Sequence, residues 1–266
     1  MLQILLENLL SFGMIDWILI GIIYVVVIST IRMLWFLIVH RRVSHHSPAY
    51  SQTGTDGRRI LILGDSTAIG VGATKPEHSL AGKLGINLPT CEIRNLGKNG
   101  ARTMDVIEQL ASVQNERFDL IIISVGGNDV WHFTPLRSLK YYLMLLIDEA
   151  NRISDNRVLF LIYSNMGSAP LFPKPLRAIL GKRAEKIRDL FIQVTAERGT
   201  HAIDLSTNNN SLTRDTPLHY YAEDRIHPSD TTYALWYKDI WHYIAKENLS
   251  CDISDRPNPP MRQTLP

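Results

Sequence analysis

Short apolar runs alternate with longer amphipathic stretches from residue 59 to residue 246 of the chain. Five of the runs have the length and composition of β-strands, at residues 60–64, 91–95, 119–125, 157–163 and 200–205. Five of the longer stretches have apolar residues at helical spacing, at residues 77–87, 103–114, 135–153, 177–198 and 230–246. The third and fourth strands are almost continuously apolar, which is typical of strands covered on both faces. The alternation therefore predicts an α/β domain with a five-stranded parallel sheet and helices on both sides.

Two of the predicted helices also carry start signals. Thr103 is expected to cap the second helix, with Asp105 placed favourably in its first turn. Ser229 is expected to cap the last helix, and that helix has an apolar stripe made of Leu235, Trp236, Ile240, Tyr243 and Ile244.

The N-terminal part of the chain has a different pattern. Residues 17–39 are apolar except for a few small or polar residues, and Arg32 is their single charge. A transmembrane helix needs about 20 such residues. A buried core helix is rarely apolar on all sides over this length, and a cleaved signal peptide normally has basic residues before a shorter apolar run. The pattern predicts a transmembrane helix over about residues 17–39, with Arg32 reaching the headgroups from near its end.

The charges on the two sides of this predicted helix differ. Acidic Glu7 and Asp16 precede it, whereas the residues that follow include Arg41, Arg42, Arg58 and Arg59. The positive-inside rule therefore predicts a single-pass membrane protein with its large C-terminal domain in the cytoplasm. Residues 1–13 are expected to form an amphipathic segment at the opposite interface.

Shifts in composition divide the chain into four parts. Residues 1–42 are a membrane anchor, and the polar residues 43–58 are a linker. Residues 59–249 form the folded domain, and the Pro-rich residues 250–266 are an expected disordered tail. The pair His45–His46 belongs to the linker, where a metal site would need Cys or carboxylate partners nearby.

Charge and cysteine content exclude two kinds of function. The net charge is +2, from 28 basic and 26 acidic residues, so nothing in the charge favours binding to nucleic acid. The two cysteines, Cys91 and Cys251, have no metal-ligand spacing and are expected to be free thiols. No metal and no other cofactor is expected, and the sequence gives no indication of the oligomeric state.

Four polar motifs occupy positions at the ends of predicted elements. Residues 64–66 (Gly-Asp-Ser), 95–103 (NLGKNGART) and 126–129 (Gly-Gly-Asn-Asp) directly follow the first three strands, and residues 224–227 (Asp-Arg-Ile-His) precede the last helix. The carboxyl ends of parallel strands share one edge of a sheet, where ligands bind in such folds. The first three motifs are therefore expected to meet at that edge.

The residue types in these motifs suit nucleophilic catalysis. Ser66 lies where a strand turns into a helix, so its hydroxyl and its own N–H are directed at one point. Gly100 allows close approach to its N–H, and Asn128 offers a side-chain amide, which together suggest an oxyanion hole. His227 is a candidate general base, and Asp224 is placed to orient it.

Other roles are possible for the same residues. Ser66 could be only a helix cap, Asn128 only a turn residue, and His227 with Pro228 only a connection into the last helix. Asp129 is expected to stabilise its own turn. No G-x-S-x-G motif surrounds Ser66, so the α/β-hydrolase elbow is absent.

The four motifs in this order resemble those of the SGNH (GDSL) hydrolase family, over about residues 59–246. The resemblance implies a flavodoxin-like three-layer α/β/α fold and hydrolysis of carboxylic esters through an acyl-enzyme without a metal. By matching positions it implies that Ser66 is the nucleophile and that Gly100 and Asn128 are further oxyanion donors. It also implies that Asp224 and His227 complete a catalytic triad.

Two positions need comment within this resemblance. Thr67 stands where many family members have Leu, at a position that packs rather than reacts. Gly97 is a rival for the glycine of the second motif, but Gly100 lies five residues after Asn95, as the family pattern places it.

Two neighbouring stretches bear on the substrate. Trp131 and Phe133 follow Asn128 and are candidates for lining an acyl pocket, or else pack in the core. Residues 165–186 contain a basic run that either is a solvated helix face or contacts anionic headgroups: Lys174, Arg177, Lys182, Arg183 and Lys186.

The sequence therefore predicts a membrane-anchored serine esterase that acts on lipid or lysophospholipid esters. An acetyl esterase or acyltransferase acting on sugars is the alternative within the enzyme class. A non-catalytic binding module tethered to the membrane is the alternative outside it.

Overall fold

The computed structural model describes residues 13–45, 47–163, 167–206 and 217–249, which fall into two compact units, Met1–Arg42 and Val43–Pro266. Helix α1 (Met14–His45) begins in the first unit, and its most apolar stretch has a mean hydropathy of 2.4. Length and composition suit α1 to crossing a membrane, and an N-terminal signal sequence would share both properties. The predicted apolar helix is therefore present, and it is longer than expected.

The second unit is built on one sheet of five parallel strands. They are β1 (Arg59–Gly64), β2 (Glu92–Asn95), β3 (Leu120–Ser124), β4 (Val158–Ile162) and β5 (His201–Asp204). Their order across the sheet is β2-β1-β3-β4-β5, the flavodoxin-like order. The predicted fold class is confirmed.

Helices cover both faces of this sheet. They are α2 (Ser66–Ile69), α3 (Leu80–Asn87), α4 (Thr103–Ala111), α5 (Gly127–Trp131), α6 (Leu136–Ser154), α7 (Lys174–Glu197), α8 (Pro217–Tyr220) and α9 (Asp230–Lys246). Helices α4, α6 and α7 contribute to one apolar cluster, and α3 and α9 contribute to the other. Successive residues of β1, β3 and β4 alternate between the two clusters, which explains why these three strands are apolar throughout. In β1, for example, Leu61 and Leu63 enter the first cluster while Ile60 and Ile62 enter the second.

Several predicted helix boundaries are wrong for local reasons. The helix predicted over residues 77–87 is a short 3₁₀ turn (Pro76–His78) followed by α3, because Ser79 caps α3 by accepting a hydrogen bond from the Gly82 N–H. Helix α7 begins three residues earlier than expected because Pro175 is tolerated in its first turn.

The two predicted caps have different outcomes. Ser229 caps α9 as predicted, by accepting from the Thr232 N–H. The cap predicted at Thr103 is wrong: Arg102 occupies the cap position of α4, and Asp105 accepts a hydrogen bond from its N–H. Thr103 is instead the first residue of the helix, and its hydroxyl donates a hydrogen bond to Asp129.

Part of the segment interpreted as a linker lies against the edge of the sheet. Gln52 forms an isolated antiparallel bridge with Ile93 of β2, and its side-chain amide donates to the carbonyls of Leu88 and Cys91. Cys91 is a free, buried thiol, and burial raises its pKa to about 11. The amphipathic segment before residue 13, the linker His46, Cys251 and the predicted tail lie outside the described residues.

Candidate active site

The turn from β1 into α2 carries Ser66 at the carboxyl edge of the sheet. Gly64 has a φ of +140°, and a Cβ there would lie 1.9 Å from the Ser124 carbonyl oxygen, so β1 and β3 can approach this closely only with glycine. The Gln109 side chain binds both backbone groups of Gly64, each at 2.9 Å. Asp65 caps α2 and Ser66 is the first residue of the helix.

Three of the predicted site residues form a continuous chain of hydrogen bonds. Ser66 Oγ lies 2.9 Å from His227 Nε2, and His227 Nδ1 lies 2.5 Å from Asp224 Oδ2. An ionised carboxylate only accepts hydrogen bonds, so Nδ1 carries a proton and donates a hydrogen bond to Asp224. In the neutral imidazole, Nε2 is then the acceptor for the Ser66 hydroxyl.

The loop before α9 holds His227 and Asp224 firmly. Asp224 is fully buried, and its Oδ1 accepts from the N–H groups of Ile226 and His227 at 3.2 and 3.1 Å. The Ala222 N–H donates to the His227 carbonyl at 2.8 Å and closes the loop. A Cβ on Gly72 would lie 2.3 Å from the Pro228 carbonyl oxygen, so this glycine allows the segment after α2 to pack directly against the loop.

The predicted oxyanion donors have N–H groups available. Ser66 is the first residue of α2, and the first N–H groups of a helix lack partners within it. The Gly100 N–H has no acceptor among the described residues, and the space where its Cβ would lie is open. The rival Gly97 donates its N–H to Asn95 Oδ1 at 3.0 Å, so that donor is already used.

Asn128 is tied to the loop that carries Gly100. Its Nδ2 donates one hydrogen to the Ala101 carbonyl at 3.0 Å, which leaves its second hydrogen for another acceptor. Beside it, buried Asp129 accepts at Oδ2 from the N–H and the hydroxyl of Thr103, at 2.9 and 2.8 Å. Asp129 therefore joins α5 to α4, rather than stabilising only its own turn as expected.

Sequence reasoning did not assign a role to a third buried acid at the site, Asp65. Asp65 is 2% exposed and accepts from the Thr67 N–H at 2.9 Å and from the Tyr163 hydroxyl at 2.8 Å. Burial raises the pKa of Asp65 to about 6, and the nearby Asp65 charge adds to burial in raising that of Tyr163. An Asp one residue before a short helix is a recognisable cap signal, but nothing near Tyr163 in the sequence indicates its contact.

Trp131 and Phe133 are surface residues. They are 45% and 54% exposed, and the Trp131 ring is stacked on Phe172 with centroids 5.4 Å apart. Phe133 has a φ of +51°, an uncommon conformation for a bulky residue. Neither ring is buried in a core cluster, so exposure favours the acyl-contact hypothesis over core packing.

The basic run divides into two groups. Arg183 donates to the Thr134 carbonyl, and Arg177 donates to the Phe172 carbonyl at 2.6 Å. These arginines fix the chain around α7, whereas Lys174, Lys182 and Lys186 are exposed. The hypothesis of contact with anionic headgroups therefore depends on the three lysines.

A five-stranded flavodoxin-like sheet with a hydrogen-bonded Ser, His and Asp at its carboxyl edge defines an α/β protein equipped for nucleophilic chemistry. The chain belongs to the GDSL-like lipase/acylhydrolase family, whose sequence model matches residues 62–235 and so includes every predicted site residue. It is therefore a carboxylic ester hydrolase by family, as the resemblance implied. No curated protein matches the sequence.

Several solved structures have a similar fold. A lipolytic protein of the G-D-S-L family from Veillonella parvula has a TM-score of 0.57 at 16% identity, over 72% of this chain and 97% of that one. The psychrotrophic esterase EstA from Pseudoalteromonas sp. has a TM-score of 0.57 at 16% identity, over 73% of this chain and 100% of that one. The acetylxylan esterase Axe2 from Geobacillus stearothermophilus has a TM-score of 0.55 at 19% identity, over 72% of this chain and 95% of that one. At these identities the similarity concerns the fold.

Proposed function

We propose that this protein is a serine esterase in which Ser66 is the nucleophile, His227 the general base and Asp224 the residue that orients the base. The observation that carries the proposal is the unbroken chain from Ser66 Oγ through both ring nitrogens of His227 to a fully buried carboxylate. Such a chain activates a hydroxyl that is unreactive at its ordinary pKa.

The reaction proceeds in two halves. Ser66 Oγ attacks the ester carbonyl carbon while its proton moves to His227 Nε2, and the resulting imidazolium is stabilised by Asp224. His227 returns that proton to the departing alcohol, which leaves an acyl group on Ser66. Water then attacks the acyl carbon with His227 again as base, and collapse of the second intermediate regenerates Ser66 and releases the acid.

The negative charge on the carbonyl oxygen is held by the N–H groups of Ser66 and Gly100 and by the free hydrogen of Asn128 Nδ2. Asn128→Ala is expected to lower kcat by about 10²–10³-fold, or about 2.7–4 kcal/mol, because one preorganised donor is lost. Steady-state kinetics with p-nitrophenyl acetate measures the effect. Asn128→Asp matches the volume but cannot donate and places a negative charge beside the oxyanion, so it should be at least as impaired; wild-type kcat in both variants would remove Asn128 from the oxyanion hole.

The substrate class that we propose is a lipid or lysophospholipid ester. The exposed rings of Trp131 and Phe133 lie just beyond Asn128 on α5 and the residues after it, where an acyl chain bound at Ser66 could rest. Short acyl or acetyl esters of sugars are the second candidate, since acetyl xylan esterases are among the proteins with similar folds. Transfer of the acyl group to an acceptor other than water would use the same residues.

A series of p-nitrophenyl esters from acetate to palmitate separates the two substrate classes. We expect kcat/KM to rise with acyl length, and the double substitution Trp131→Ala/Phe133→Ala to abolish that rise by removing about 1.5–3 kcal/mol of apolar contact per ring. Tyr141→Ala, which removes a still more exposed ring from α6, is the control. A preference for acetate that both variants share would favour the acetyl esterase, and no turnover of any ester would favour the binding module.

We further propose that residues 1–42 anchor the protein in a membrane, with 43–58 as linker, 59–249 as hydrolase domain and 250–266 as tail. The cationic residues that follow the apolar part of α1 favour a cytoplasmic domain. Protease added outside spheroplasts should then leave the domain intact. Its degradation there would reverse the proposed orientation.

A further inference from the structure

Tyr163 connects the end of β4 to the turn that carries Ser66. Its hydroxyl donates to Asp65 Oδ2 at 2.8 Å. Its ring is stacked on Trp236 of α9, with centroids 5.6 Å apart at an angle of 29°. The packing of the ring thus fixes where the hydroxyl lies, and the hydroxyl fixes one oxygen of Asp65.

The other oxygen of Asp65 determines which N–H group is occupied at the start of α2. Oδ1 accepts from the Thr67 N–H at 2.9 Å. The preceding N–H, that of Ser66, has no acceptor within the described part of the chain. An N-cap side chain accepts from the second or third N–H of its helix, so this hydrogen bond fixes the first turn of α2 and leaves the Ser66 N–H to face the substrate side.

We propose that Asp65 and Tyr163 are positioning residues that keep the Ser66 N–H free and directed at the substrate oxygen. Tyr163 orients the Asp65 carboxylate, and the carboxylate takes the N–H of Thr67 rather than that of Ser66. Neither side chain touches the reacting atoms. This inference rests on the proposed function, because it assigns supporting residues to the same oxyanion hole.

The charge on Asp65 supports a functional role. Its pKa of about 6 lies above the ordinary value of 3.8 because of burial, although the hydrogen bonds from Thr67 and Tyr163 and the His227 ring all lower it. Tyr163, His227 and, on α9, Tyr233 are the titratable groups that face it. The folded protein binds this proton more tightly than the unfolded chain does, so stability falls as pH rises from about 4 to 6. The protein keeps a charge at neutral pH that lowers its stability, which is typical of functional sites.

Tyr163→Phe removes the hydroxyl and retains the stacked ring. We expect kcat for p-nitrophenyl acetate to fall about tenfold with KM nearly unchanged, as for one lost hydrogen bond to a charged group. Asp65→Ala removes the acceptor of both hydrogen bonds and should also lower kcat, again with KM nearly unchanged.

Tyr237→Phe is the matched control. It removes a buried hydroxyl from the same core cluster, beside Asn87 rather than Asp65, and should leave kcat and KM unchanged. A Tyr163→Phe enzyme with wild-type kcat would overturn the inference, as would a loss of activity in Asp65→Ala that appears in KM rather than in kcat. Ser66→Ala keeps the two proposals apart: if it is inactive while Tyr163→Phe is normal, only the positioning role fails.

Discussion

Replacing Ser66 or His227 by Ala is expected to lower kcat by about 10⁶-fold, or about 8 kcal/mol, because either change removes the nucleophilic route as a whole. The two side chains act as one unit through their 2.9 Å hydrogen bond. The double variant should therefore be no slower than either single variant, since groups that act together are not additive. Kinetics of p-nitrophenyl acetate hydrolysis with the three purified variants measures this directly.

Ser66→Ala should leave the folded state little changed. Ser66 is partly exposed in the site, and its side chain is not part of either apolar cluster. A melting temperature close to that of the wild-type protein is therefore expected for Ser66→Ala, and Ser138→Ala on α6 is a matched serine control that should retain full activity. The variants that lack His227 should melt at a lower temperature, because the buried Asp224 carboxylate loses its partner. Additive losses, such that the double variant is far slower than both singles, would contradict the proposed chain of residues.

Asp224→Asn is expected to lower kcat by about 10⁴-fold, which is the second largest effect. The amide nitrogen of Asn would face His227 Nδ1, and two donors cannot share that contact. The imidazole would then carry its proton on Nε2, where it points at Ser66 Oγ and cannot accept the hydroxyl proton. The oxygen of Asn can still accept from the N–H groups of Ile226 and His227, so the loop should keep its shape.

Asp230→Asn provides a control with the same chemistry elsewhere. Asp230 Oδ2 lies 2.7 Å from His78 Nδ1, and the same carboxylate binds Thr74. Removing its charge alters a carboxylate–histidine pair outside the site, so stability should fall slightly and kcat should not. Equal losses of kcat in Asp224→Asn and Asp230→Asn would show that the effect at Asp224 is not specific to the triad.

The sequence predicts the sheet and its carboxyl edge well because both depend on regular patterns. The apolar runs of β1, β3 and β4 are covered on both faces, and their composition reports that directly. The short helices α2 and α5 are missed because four or five residues are too few for a helical period. The start of α7 is missed because a proline in a first turn resembles a helix breaker.

The site is predicted where chemistry lies in local motifs and missed where it depends on distant contacts. Asp224 and His227 are three residues apart, and parallel strands bring Ser66 and Asn128 to one edge. Tyr163 contacts Asp65 across 98 positions, and Gln109 binds Gly64 across 45. No local pattern in the chain specifies such pairs, because they follow from how layers pack on the sheet.

The most direct test of the central claim is the position of a covalent adduct formed by a fluorophosphonate, which reacts with an activated serine. Trypsin should release residues 60–83 as one peptide, because Lys75 precedes Pro76, and the only serines in it are Ser66 and Ser79. Fragmentation of the labelled peptide by mass spectrometry should place the adduct on Ser66, with labelling lost in His227→Ala. An adduct on another residue, or labelling that persists in Ser66→Ala, would contradict the account.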